Sequence, residues 1–141
     1  MPVLDQVVER YPTQVKVVFK NFPLRNHNMA MKAARAALAA ESQGKFWEYH
    51  DELFKNYNRL SDQVIQKIVG GLDLDEVAFN KQMSSSAVMT RIQKDLQDGV
   101  NAGVRSTPTV FVNGKRLRKR SPDGFQQAID KELEKLNIQA N

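Results

Sequence analysis

The chain predicts an α/β fold in which a block of helices is set into a small sheet. Two stretches predict the sheet. Val15–Phe19 (Val-Lys-Val-Val-Phe) is β-branched and mostly apolar, and Pro108 opens a second run, Thr109-Val110-Phe111-Val112, that closes on Asn113-Gly114. A third observation predicts the helical block: seven alanines lie between Ala30 and Ala40, in a stretch with no proline or glycine.

Taken in order, Pro2 to Arg10 reads as a short helix, because proline suits a first turn and Val3, Leu4, Val7, Val8 and Tyr11 share one face. Tyr11-Pro12-Thr13 ends it, and Val15–Phe19 follows as a buried parallel strand. Asn21-Phe22-Pro23-Leu24 is a loop. A helix from about His27 to Gln43 comes next, with Gly44 as its C-cap signal and small side chains that permit close packing. Phe46, Trp47, Tyr49, His50, Leu53 and Phe54 make a second, aromatic helix of the block. A third runs from Leu60-Ser61-Asp62 to Gly70-Gly71, with Ser61 or Asp62 as its N-cap. Asp73 or Asp75 opens a short fourth through about Gln82. Ala87 to about Ala102 forms a fifth, in which Val88, Ile92, Leu96 and Val100 recur at four-residue steps.

Pro108 has no N–H and a fixed φ, so it belongs at the start of a strand. Asn113-Gly114 supplies the two positive-φ residues of a type I′ turn, and Lys115–Arg118 returns as a half-exposed edge strand. Ser121-Pro122-Asp123 then leads into a terminal helix with Phe125, Ala128, Ile129, Leu133 and Leu136 on one face.

Composition narrows the function classes. At 141 residues the chain has the size of one domain, and with 41% apolar and 26% charged residues it is globular in character. No apolar run reaches the ~18 residues of a bilayer span. Met1 is followed at once by Pro2 and an amphipathic pattern, so a secretory leader is not expected within it. The chain contains no cysteine, which excludes disulfides, thiolate metal sites and thiol nucleophiles among its own residues. Its formal charge is +5, and five of the six residues from Lys115 to Arg120 are basic.

Val17 to His27 (Val-Val-Phe-Lys-Asn-Phe-Pro-Leu-x-x-His), Ala33 to Ala37, Gln43 to Phe54 (Gln-Gly-Lys-Phe-Trp-Glu-Tyr-His-Asp-Glu-Leu-Phe) and Gly103-Val-x-x-Thr-Pro-Thr-x-Phe-Val-Asn-Gly114 together resemble the DsbA-like thiol:disulfide oxidoreductases of the thioredoxin superfamily. The resemblance covers nearly the whole chain. It implies a thioredoxin-like fold with a helical insertion over about 27–102, a thioredoxin core over 1–26 and 103–141, and a single domain with the first strand missing. In that family a Cys-x-x-Cys stands at the end of the first strand, and a helix N-terminus lowers the nucleophilic thiol's pKa. Pro2–Arg10 resembles the remainder of that helix. The expectation is therefore a truncated oxidoreductase that cannot exchange disulfides through its own residues, since a hydroxyl does not replace a thiolate.

The resemblance further implies that Thr107 and Pro108 form a substrate-binding wall, with the Thr107-Pro108 bond cis and the Thr107 main chain meeting an extended peptide. Substrates of the full-length form would be cysteine-containing proteins or peptides outside the cytoplasm, in the periplasm or cell envelope, and no cofactor is implied. The absent middle strand would leave Val15–Phe19 and Thr109–Val112 about 10 Å apart, at ~4.8 Å per strand. Direct pairing, an inserted segment or a homodimer would close that gap, and the intermolecular solution is favoured. A non-catalytic thioredoxin-like binding or dimerisation module is the competing reading.

His27 and His50 lack a metal-site spacing. They read as a helix-opening residue and as an imidazole among Phe46, Trp47 and Phe54. The aromatic set Phe46, Trp47, Tyr49 and Phe54 reads as helix core or, alternatively, as a groove lining. Lys115–Arg120 reads as a solvated edge that blocks aggregation, with an anion or nucleic-acid grip as the alternative; no aromatic is interleaved among the bases to stack on nucleotides.

Overall fold

Pro2 at the first turn and Asp5 one turn in favour the start of α1 (Pro2–Arg10), the first element of the computed structural model, which describes residues 1–138. The chain continues as α2 (Ala30–Glu41), α3 (Phe46–Lys55), a 3₁₀ turn at Tyr57–Arg59, α4 (Asp62–Gly71), α5 (Glu76–Met83), α6 (Ser86–Asn101), β1 (Phe111–Val112), β2 (Lys115–Arg116) and α7 (Pro122–Lys135). Side chains of Ser61, Asp75, Ser85 and Ser121 accept main-chain N–H groups at the starts of α4, α5, α6 and α7, which sets those boundaries. The residues form two compact units, one of Met1–Phe19 with the chain from Ser106 onward, the other of Lys20–Arg105.

In the Lys20–Arg105 unit the alanines of α2 let neighbouring helices approach closely. Ala36, Ala37, Ala39 and Ala40 are buried with Tyr49 of α3, Ile65 and Val69 of α4 and Phe79 of α5. The Tyr49 ring stacks on Phe79 at 5.4 Å between centroids, and its hydroxyl donates to the Ile65 carbonyl at 3.0 Å. Buried there, the phenol is pushed well above its ordinary pKa. Leu38, Val88 and Ile92 form a smaller apolar cluster where α2 meets α6.

In the other unit α1 packs on α7: Val7 and Tyr11 meet Phe125, Ile129 and Leu133, and the Tyr11 hydroxyl donates to Asp130 at 2.6 Å. The hairpin lays Val110, Val112 and Leu117 on the same core. At the start of α7, Gly124 lies so near the preceding loop that a Cβ would stand 2.0 Å from the Lys119 carbonyl oxygen, so any side chain there would push the helix off the loop.

Several expectations are corrected. Val15–Phe19 forms no strand among the described residues: Lys16 and Val18 are exposed, while Val15, Val17 and Phe19 are half-buried. The period-two alternation is that of a strand, but β1 pairs only with β2, and a strand exists only where a neighbour takes its main-chain groups. The hairpin strands are shorter than Thr109–Val112 and Lys115–Arg118, and α2 begins at Ala30 rather than His27, after turns at residues 25–29. Val100 is 60% exposed, because four-residue steps overrun the helical turn by about 40° each and carry the stripe off the buried face. Leu136 is also exposed, being the C-cap of α7.

Candidate functional site

The hairpin presents one guarded edge and one open edge. Asn113 (φ 46°) and Gly114 (φ 78°) adopt the left-handed conformations of a type I′ turn. This sets the register Phe111 opposite Arg116 and Val112 opposite Lys115, and Leu117 N–H donates to the Val110 carbonyl at 2.8 Å. Main-chain groups alternate in direction along an antiparallel strand, so with Val110 and Val112 bonded inward, those of Thr109 and Phe111 point away from β2. Neither residue's main chain has a hydrogen-bond partner among the described residues, and the same holds for Thr107.

The open edge therefore runs from Thr107 to Phe111. The Thr107-Pro108 peptide bond is cis, and both residues are exposed. Two side chains brace the bend: Thr109 Oγ1 donates to the Ser106 carbonyl at 2.6 Å, and Arg120 Nη1 donates to the Pro108 carbonyl at 2.6 Å. Arg120 is a contributor that sequence reasoning missed, since no local pattern links it to a proline twelve positions earlier. From Thr107 to Val112 the strand carries no charge, whereas the β2 side carries Arg116 and then Arg118, Lys119 and Arg120. Charge thus guards the β2 edge and leaves the β1 edge free to pair.

The two faces of the hairpin differ as well. Val110, Val112 and Leu117 face the core, and Lys115 lies on that side, 2.9 Å from Glu132 of α7, which also meets Lys135 at 2.9 Å. Those two ammonium groups, Lys115 first, lower the Glu132 carboxyl to about 2. On the outer face Phe111 is 39% exposed beside its cross-strand partner Arg116. An aromatic does therefore stand among the bases, through a pairing that linear order conceals.

The other candidates lie in the helical unit. His50 is buried on α3, its ring centroid 4.6 Å from Phe54, 5.4 Å from Trp47 and 5.8 Å from Phe46, and its Nδ1 lies 3.4 Å from Asp51 Oδ1. Burial lowers its pKa below the ordinary value, partly opposed by Asp51, so the ring is neutral at pH 7. The aromatic set divides: Tyr49 is core, Phe46 packs against it, and Trp47 and Phe54 are exposed. His27 is exposed in a turn. Among the described residues no group of three or more His, Asp or Glu is placed to hold a metal, and no helix is long and apolar enough to cross a membrane.

Hollows are small. One of about 230 Å³ lies beside the Arg91–Glu41 ion pair, and one of about 100 Å³ lies between Val112, Leu117 and Ala128. Both fall below the roughly 300 Å³ at which small-molecule sites begin.

A family profile described as thioredoxin matches residues 2–131. A thioredoxin-like oxidoreductase from Silicibacter pomeroyi has a similar structure, with a TM-score of 0.81 over 95% of this chain and 77% of that one at 24% identity. Among curated proteins, a Na(+)/H(+) antiporter NhaA 1 from Mycolicibacterium gilvum is 37% identical over 118 residues, 82% of this chain and 19% of the antiporter. A Na(+)/H(+) antiporter NhaA from Herminiimonas arsenicoxydans is 33% identical over 114 residues, 81% of this chain and 18% of its own. The chain thus spans about a fifth of the length of the curated relatives it matches.

Proposed function

Since the chain belongs to the thioredoxin family, we propose that it is a DsbA-like member of that family which docks extended polypeptide at Thr107 and Pro108, with no thiol among these 141 residues. The observation that carries the reading is the exposed Thr107-Pro108 pair ahead of β1, uncharged and with the Thr107 main chain unpaired among the described residues. Thr107 and Pro108 are the substrate-docking residues in this reading. The redox half of the family activity needs a thiolate, and these 141 residues contain no cysteine. In this reading a Cys-x-x-Cys preceding α1 makes a disulfide oxidoreductase that acts on cysteine-containing proteins outside the cytoplasm. Pairing of two copies through the β1 edge, in the place of the absent middle strand, is the homodimeric form.

The second reading is a non-catalytic thioredoxin-like binding module. The antiporter relatives favour it, because there the matched segment is under a fifth of a transporter.

Two measurements test the proposal. Hydrogen exchange at the Thr107 amide is expected to be fast in the free protein and to slow when an extended peptide is added; unchanged exchange at saturating peptide would overturn the docking site. In a thiol–disulfide exchange assay the chain is expected to be inert, and a version extended before Pro2 by a β-strand and Cys-x-x-Cys is expected to turn over. Inertness of that extended version, correctly folded, favours the binding module.

A further inference from the structure

Within the Lys20–Arg105 unit, α2 and α6 meet over Leu38, Val88 and Ile92. Beside that cluster the half-buried Arg35 of α2 reaches the half-buried Met89 of α6, its Nη2 donating to Sδ at 3.8 Å. The two partners are poorly matched. A guanidinium brings several donors and a full charge, whereas a thioether is a weak acceptor. Arg35 Nε is buried with no acceptor among the described residues, and no carboxylate there pairs with the group: Glu41, further along α2, pairs with Arg91. The α2–α6 junction thus holds more donor capacity than sulfur can use, at a place where an unmet polar group is costly.

We infer that Met89 is a modification site, oxidised by a peroxide to the sulfoxide, with Arg35 as the receptor for the oxygen gained. In that step the Met89 sulfur gives a lone pair to one peroxide oxygen, and the S–O bond forms as the O–O bond breaks. The other oxygen leaves as water, taking the proton of the oxygen transferred, so the sulfur is oxidised and the peroxide reduced. The oxygen is then carried on the atom that the guanidinium already faces, and a weak contact becomes a charge-assisted hydrogen bond.

Other methionines have no such receptor. Met29 and Met83 pack against the alanine-rich core and Met31 against the Leu38 cluster, where an added oxygen would be a polar group set among apolar side chains. Oxidation at those positions loosens packing. At Met89 it ties α6 to α2.

The experiment treats the protein with dilute hydrogen peroxide until Met89 is partly oxidised, and follows hydrogen exchange by mass spectrometry on a peptide that contains Met89 and not Met83. The oxidised and unoxidised forms differ by one oxygen and are read in the same sample. The α6 amides of the oxidised form are expected to exchange roughly tenfold more slowly, as one charge-assisted hydrogen bond gained allows. In R35L, with circular dichroism unchanged, the order is expected to reverse, because the oxygen then meets no donor. R35K, which keeps a charge and a donor but not the planar fork, is expected to slow exchange less than arginine does. Faster exchange of the oxidised form with Arg35 in place overturns the inference, as does the same ratio in R35L. Failure of Met89 to oxidise in the folded protein under conditions that oxidise the exposed Met1 overturns it as well.

Discussion

Asp95 is buried on the face of α6 that Val88 and Ile92 begin, at the next helical position, and its Oδ2 accepts both the Asn21 main-chain N–H (2.9 Å) and the Asn21 side-chain amide (2.8 Å). Lys20 stands 3.5 Å from its other oxygen, so the carboxylate is paired as well as bonded. One turn further, Gly99 leaves room for Phe22, whose ring would lie 2.7 Å from a Cβ at that position. Together these residues pin the loop at 20–22 to the helix. Asp95→Ala removes the acceptor for two buried donors and is expected to cost about 3 kcal/mol in urea denaturation, with Asp95→Asn recovering part of it by keeping one oxygen. An acid at an apolar spacing is visible in the sequence, but its partner lies 74 positions away, and only the fold identifies it.

At the scale of elements, helices were the most legible part. Residues 2–10 were expected as a helix and are one, and Ser61 rather than Asp62 proves to be the cap of α4. A helix satisfies its own hydrogen bonds and carries its apolar period locally, so a short window of sequence suffices. Strands do not. Val15–Phe19 has the composition of a strand but joins no sheet among the described residues, whereas the hairpin was legible because Asn113-Gly114 brings its two strands together locally. Gly114→Ala forces a side chain into a left-handed conformation and is expected to cost about 1 kcal/mol. A lowered urea midpoint at unchanged slope checks it.

For the whole molecule, three groups shape the acid side of the stability curve: His50, Glu132 and Asp98, whose carboxyl Lys94 and Lys20 hold below its ordinary value. His50 has its folded pKa below the ordinary 6.5 because burial disfavours the imidazolium. The unfolded chain then binds the proton first, so stability is full above about pH 6.5 and falls as pH drops from there toward the folded value. Glu132 is held down from 4.5 to about 2 by Lys115 and Lys135, so its contribution is present above 4.5 and is lost as pH falls through about 2. Thermal melts across pH are expected to show two successive declines, and His50→Phe is expected to abolish the first while leaving the second. What the sequence by itself determined is what near neighbours decide: the helices, their caps, the type I′ turn, the family strings and the absence of a thiol. Tertiary structure decided which edge of the hairpin is open, that Arg120 braces the Pro108 carbonyl, that Phe111 stands beside Arg116, and that Asp95 rather than Leu96 continues the buried face of α6. Those facts depend on pairings between distant positions, and a main-chain group's freedom is defined only once every possible partner has its place in the fold.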